Sequence, residues 1–262
     1  MSETLLRIDG LGIRYSGADA AALEAVSFEL AQGERLAVVG ESGSGKSTLA
    51  LALAGLLPRH TWIEGTIAWP ALGHPPVAGR DLGMVFQDPG NSLNPVLRIG
   101  EQVAEVAQRH LGFGWPQAYA RAEHLLGQVR LPDPARLLRA FPHQLSGGQR
   151  QRVAIAAAMA ATPALLIADE ATSALDTIVQ RDILLLLDQL VRERGTTLIF
   201  VTHDIALAAQ FADRIAVFHR GRLMEIGEAG TVTTMPASPY TATLLASHIS
   251  LVTPPLIDGA PT

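Results

Sequence analysis

Cysteine is absent from the 262 residues, which excludes disulfides, thiolate metal sites and cysteine-held iron–sulfur clusters. Lysine is almost absent: the basic residues are nineteen arginines and one lysine, Lys46. A positive charge excess is also missing. The net charge is −5 and the isoelectric point is near 5.9, which argues against a nucleic-acid binder that relies on a basic surface. Nor is there a long hydrophobic run. No stretch approaches the roughly 18 uninterrupted apolar residues of a membrane span, although 48% of the residues are hydrophobic and the mean hydropathy is +0.24. The longest run, 153–161, ends at Thr162-Pro163 and reads as a buried helix. The N-terminal MSETLLRIDG has no basic region leading into an apolar one, so no secretory signal is expected. These absences point to a soluble, cytoplasmic chain; its length allows a sizeable core, and its apolar excess points to surface buried against partners.

The most informative stretch present is 35–56. Residues 36–39 are a short apolar run of strand character, and an Ala/Leu-rich helical stretch begins at Thr48. Between them, Gly40-Glu41-Ser42-Gly43-Ser44-Gly45-Lys46-Ser47 fits the phosphate-binding pattern G-x-x-x-x-G-K-[ST] in its required strand–loop–helix context. Glycines let the backbone N–H groups wrap a phosphate, and the helix N-terminus adds partial positive charge. In such a loop Lys46 reaches the β- and γ-phosphates and the Ser47 hydroxyl ligates Mg²⁺. A chain that uses arginine everywhere else keeps lysine where a compact charge on a flexible stem is needed.

Strands and helices alternate along the chain. Strands are expected at 5–8 leading to 13–15, then at 26–30, 36–39, 62–69, 82–86, 165–168, 197–201, 215–218 and 223–226. From 98 to 161 the pattern is helical, with breaks at 112–116 and 132–134. Further helices are expected at 178–192, at 204–211 and from 239 to about 247. The expected class is α/β: a P-loop NTPase core with a mixed or parallel sheet and flanking helices, an N-terminal antiparallel β subdomain and an inserted α-helical subdomain. One domain is expected over 1–250, with the insertion at about 90–162 and a poorly ordered tail at 251–262.

Asp169-Glu170 close the apolar run 165–168. The carboxyl end of a buried parallel strand is where open α/β sheets bind ligands. Asp169 is placed there to hold Mg²⁺ through water, and Glu170 to polarise the water that attacks the γ-phosphate. Ser146-Gly147-Gly148-Gln149 precedes an Ala-rich helix that Ser146 can cap. A lone S-G-G would be better explained by an ordinary capping turn.

With Leu145 before it and Arg150-Gln151-Arg152 after it, this turn resembles the signature of the ATP-binding cassette (ABC) ATPases. The resemblance extends over residues 5–247 and implies further roles. Tyr15 resembles the aromatic residue that stacks on adenine. Gln87 resembles the Q-loop glutamine, which contacts Mg²⁺ or the attacking water. Ser173-Ala174-Leu175-Asp176 matches the D-loop, and His203, within Thr202-His203-Asp204, matches the switch histidine on the γ-phosphate. One departure is Ala171, where the family usually has proline after the glutamate.

The resemblance implies ATP and Mg²⁺, and a head-to-tail dimer in which each site pairs one subunit's P-loop, Gln87, Asp169, Glu170 and His203 with the other's Ser146–Gln149 turn. The second ATP-binding subunit could be a copy or a relative. It also implies separate transmembrane permease subunits, an indirect link to an extracytoplasmic solute-binding protein, and a peripheral place on the cytoplasmic face of the membrane. Residues 86–95, Pro142-His143-Gln144 and Ser238-Pro239-Tyr240 with Leu244-Leu245 resemble the peptide/nickel uptake branch. The short, cysteine-free tail leans towards nickel or metal-chelate uptake over oligopeptides. The competing readings are a non-transport ABC ATPase of DNA repair or translation, and a regulatory subunit without turnover. The chain lacks the coiled-coil insertions, tandem cassettes and basic surfaces expected of the first, and intact Glu170 and His203 argue against the second.

Overall fold

Residues 36 to 39 alternate between two cores. Leu36 and Val38 face one and Ala37 and Val39 the other, and all four are buried. A strand covered on both faces reads as an unbroken apolar run. This strand is β3 (Arg35–Val39). The computed structural model describes residues 3–87, 92–171 and 177–252. In it β3 joins a sheet with β5 (Leu82–Val85), β6 (Leu165–Asp169), β7 (Thr197–Thr202), β8 (Arg214–His219) and β9 (Arg222–Glu228). The order is β5-β6-β7-β3-β8-β9, parallel from β5 to β8 and antiparallel at the β8–β9 hairpin.

On one face lie α1 (Lys46–Ala54) and a three-stranded antiparallel sheet of β1 (Thr4–Arg14), β2 (Leu23–Ala31) and β4 (Trp62–Ala68), ordered β2-β1-β4. The first of these strands is longer than the two pieces expected from the sequence. Its pairing slips between Ile8 and Leu11, where Gly10 takes φ 60°, so the chain absorbs the break as a bulge and continues as one strand.

Between β5 and β6 come α2 (Ile99–Leu111), α3 (Trp115–Gln128), the short α4 (Pro134–Leu137) and α5 (Gly147–Ala158). Gly112, left-handed at φ 68°, ends α2, and Pro116 sits in the first turn of α3, where a missing N–H costs nothing. These helices pack on the other face with α6 (Thr177–Arg194) and α7 (Ile205–Phe211). The chain then runs through α8 (Ala229–Thr234) and α9 (Pro239–Val252). The α/β core with its antiparallel subdomain and helical insertion is the expected architecture. The expected D-loop at 173–176, the 88–91 part of the segment after Gln87, and the tail from 253 onward lie outside the described residues.

Candidate functional site

β3 delivers the chain into the loop 40–45, and the loop is held by its surroundings as much as by its own turns. Gly40 has φ 152°, and a Cβ there would lie 2.2 Å from the Phe218 carbonyl oxygen. Gly45 has φ 101°, and a Cβ would lie 2.5 Å from the Ala22 carbonyl oxygen. Only glycine fits such contacts. The Gly221 N–H donates to the Ser44 carbonyl at 3.0 Å, so the β8–β9 turn grips the loop from the side.

Lys46 opens α1 and is almost fully buried. Its ammonium donates to the Gly40 carbonyl at 2.8 Å and the Glu41 carbonyl at 2.7 Å, so it sits inside the curl of the loop. Burial pulls its pKa below the ordinary lysine value, against the opposing pull of Glu170 and Asp169. The next residue, Ser47, donates from Oγ to Asp169 Oδ1 at 3.1 Å, which ties the start of α1 to the end of β6. Burial pushes the Asp169 carboxyl up, opposed by the Ser47 hydrogen bond, and Glu170 beside it pushes the same way as burial.

Glu170 leaves the sheet in the left-handed region at φ 45°, its N–H bound to the Val201 carbonyl at 3.1 Å. This conformation is uncommon for a residue with a side chain. It turns the carboxylate back towards β5, where Gln87 Nε2 donates to Glu170 Oε2 at 2.8 Å. Ala171 follows, fully buried. On the opposite side the Tyr15 hydroxyl shares a 3.1 Å hydrogen bond with Thr48 Oγ1, which holds the ring beside the loop. Tyr15, Ser42, Gly43, Lys46, Gln87 and Glu170 are among the residues lining one cleft of about 390 Å³.

The structure thus brings together Tyr15, the loop 40–48, Gln87, Asp169 and Glu170, which lie far apart in sequence. His203 directly follows β7, the strand between β3 and β6, so it leaves the sheet at the same edge as the loop and the acidic pair. The Ser146–Gln149 turn is elsewhere. Ser146 caps α5, accepting from the Gln149 N–H at 3.3 Å, while Gln149 Oε1 accepts from the Ser146 N–H at 2.9 Å. This reciprocal box leaves Ser146 exposed, and none of its residues lines the cleft. The sequence reading passed over Ala22, Phe218 and Gly221, which shape the loop. Their contacts are made by backbone atoms, so no side-chain pattern advertises them. The paired left-handed residues Arg220 (φ 46°) and Gly221 (φ 79°) mark a hairpin turn, and that signal is legible as X-Gly.

The sequence profile of the family described as ABC transporter matches residues 23–173. The glutathione import ATP-binding protein GsiA of Salmonella typhimurium is 41% identical over 263 residues, covering 94% of this chain and 42% of that protein. The oligopeptide transport ATP-binding protein OppD of Bacillus subtilis is 42% identical over 259 residues, covering 94% of this chain and 72% of that protein. The chain therefore spans less than half the length of GsiA and nearly three-quarters of OppD. Among solved structures, the dimeric post-hydrolysis state of the ATP-binding cassette MJ0796 bound to ADP and Pi superposes with a TM-score of 0.74 at 30% identity, covering 86% of this chain and 99% of that one. The cbiO1 structure from Clostridium perfringens, part of the cbiONQ transporter complex, gives 0.74 at 28% identity and 96% coverage of both chains.

Proposed function

Because the chain belongs to the ABC transporter family, we propose that it is the ATP-binding and ATP-hydrolysing subunit of an importer, working on a separate membrane permease. The observation that carries this reading is the cleft in which Lys46, Gln87 and Glu170 meet beside Tyr15. Tyr15 offers a ring for the adenine, and Gly40, Glu41, Ser42, Gly43, Ser44, Gly45 and Thr48 surround the phosphates with Lys46. The Ser47 hydroxyl and the Asp169 carboxylate, linked at 3.1 Å, are hard oxygen donors suited to Mg²⁺, and a carboxylate strained by burial gains from a cation. Gln87 adds an amide oxygen to that set. When bound, the ion supplies charge neutralisation of the phosphates.

Glu170 acts as general base on the attacking water, and Gln87, already bonded to its carboxylate, orients it. His203 stabilises charge on the γ-phosphate from the end of β7. Ser146, Gly147, Gly148 and Gln149 present an exposed helix start away from their own cleft, which suits delivery to the cleft of a second subunit, either a copy or a related cassette. An apolar groove of about 260 Å³, lined by Leu56, Met84, Phe86, Leu93 and Val106, opens beside Phe86, the residue before Gln87, and is the place proposed for the permease.

No helix among the described residues is long and apolar enough to cross a membrane, and the proposed location is peripheral, on the cytoplasmic face. Of the two solute classes, the names of the relatives favour peptides over metal chelates, with an extracytoplasmic binding protein delivering the solute.

Replacing Glu170 with glutamine tests the reading. Glu170→Gln is expected to keep ATP affinity, lose about 10²–10⁴-fold in turnover as general-base loss does, and elute as a dimer with ATP on size-exclusion chromatography. Wild-type turnover in this variant would remove Glu170 from the mechanism.

A further inference from the structure

Three features of the C-terminal part of the chain converge on the phosphate loop. The first is the β8–β9 turn, which meets the loop at Gly40 and at Ser44 through backbone atoms of Phe218 and Gly221. The second is the start of α9, pinned by Glu225 of β9: its carboxylate accepts from the Ala237 N–H at 2.8 Å and the Ser238 N–H at 3.0 Å. The third is Tyr240, in the first turn of α9, whose ring lies 4.1 Å from that of His219, the residue between Phe218 and the turn. The turn is therefore sandwiched between the phosphate loop and the first turn of α9.

Tyr240 has a second property. Its hydroxyl oxygen is shielded from solvent and makes no well-formed hydrogen bond among the described residues. A buried orphan hydroxyl is costly and calls for an explanation. The residue that acts on it is Glu41, the second of the loop: burial first, and then the Glu41 carboxylate, push the Tyr240 phenol above its ordinary value, partly offset by the Glu41 backbone, which pulls it the other way. The phenol is thus neutral at physiological pH and available as a donor to a carboxylate. Meanwhile Lys46 commits two of its donors to the Gly40 and Glu41 carbonyls. A lysine turned onto phosphate oxygens must release part of that hold, and the first two peptides of the loop then need another restraint.

We propose that Tyr240 is a positioning residue of the phosphate loop, its hydroxyl engaging Glu41 as the loop tightens on ATP while its ring backs the turn that holds Ser44. The Ser238-Pro239-Tyr240 motif thereby acquires a role: it docks α9 so that the phenol reaches the loop. The proposal rests on the reading of 40–48 as the nucleotide site.

The test uses the full chain and ATP, with affinity measured by calorimetry and stability by thermal melting. Tyr240→Phe keeps the ring on His219 and removes only the hydroxyl. Its Kd for ATP is expected to rise about three- to tenfold, the value of one hydrogen bond, while the ATP-free protein melts no lower than wild type. Glu41→Ala, which removes the acceptor, is expected to raise Kd similarly, and the double variant to be no weaker than either single one, since both remove the same contact. Wild-type affinity in Tyr240→Phe, or effects that multiply in the double variant, would overturn the proposal. Lys46→Ala separates the two readings. Unchanged ATP affinity there would refute the loop as the nucleotide site, whereas its loss together with a silent Tyr240→Phe would refute the positioning role alone.

Discussion

Three segments converge on Arg35, the first residue of β3. Its guanidinium donates to Asp188 of α6 at 2.5 Å, and to Asp213 before β8 at 3.0 Å through Nε and again through Nη2, while its backbone N–H also reaches Asp213, at 2.9 Å. Burial works to raise the Asp213 carboxyl, but the Arg35 hydrogen bonds outweigh it and hold the pKa below the usual 3.8. A carboxylate with a depressed folded-state pKa contributes stability that is complete above its unfolded value and disappears as the pH falls through the folded value. Asp213→Asn is therefore expected to be less stable than wild type at pH 7, by no more than about 1 kcal/mol for so exposed a partner. That difference should shrink below about pH 4. Urea unfolding at pH 7, 5 and 3.5 measures it, and a gap that stays constant with pH would contradict the assignment. Asp169, pushed up by burial, has the opposite sign: its contribution is present at low pH and lost as the pH rises through its folded-state value.

Among the elements, β5 and α5 are joined more closely than their side chains allow. A Cβ on Gly83 of β5 would lie 2.5 Å from the Ala158 carbonyl at the end of α5 and 3.1 Å from Leu166. The strand that leads to Gln87 and the helix that begins at Ser146 are thus in backbone contact. Gly83→Ala forces them apart, at an expected cost of about 1–3 kcal/mol and roughly 2–4 °C of melting temperature per kcal/mol at this chain length. An unshifted melting curve would show that the contact yields without cost. Elements with local signals were readable in the sequence: the 40–48 loop by its glycines and lysine, β6 by an apolar run ending in two acids, α5 by its Ser146 cap and Ala-rich run. Where the signal is tertiary, reading failed. α8 is Ala-Gly-Thr-Val-Thr-Thr, a poor helix by propensity, formed because Ala229 and Val232 are buried. Of the cleft lined by Tyr15, Lys46, Gln87 and Glu170, the side chains were legible and the clamp on the loop was not, because Ala22, Phe218 and Gly221 act through carbonyl and N–H groups. Tyr240 was visible as part of a motif, but its approach to Glu41 depends on how α9 docks.

At the scale of the whole molecule, the cleft and the Ser146 turn face different surroundings, so a complete site is expected only between two subunits. Ser146→Arg and Glu170→Gln are each expected to be inactive in ATP turnover as self-pairs. In a mixed pair the undamaged cleft of the first meets the undamaged turn of the second, and an equimolar mixture should recover up to about a quarter of wild-type turnover through those pairs. A mixture as inactive as its components would argue that the two elements do not share a site. The sheet order adds a consequence for synthesis. β3 lies between β7 and β8, so the loop at 40–47 leaves the ribosome long before either flanking strand and before the turn at 218–221 that grips it. At translation rates of about 5–20 residues per second, that interval is on the order of ten seconds or longer. Throughout it both hydrogen-bonding edges of β3 wait without their final partners, and the nascent chain should acquire affinity for ATP only when nearly all of it has been made.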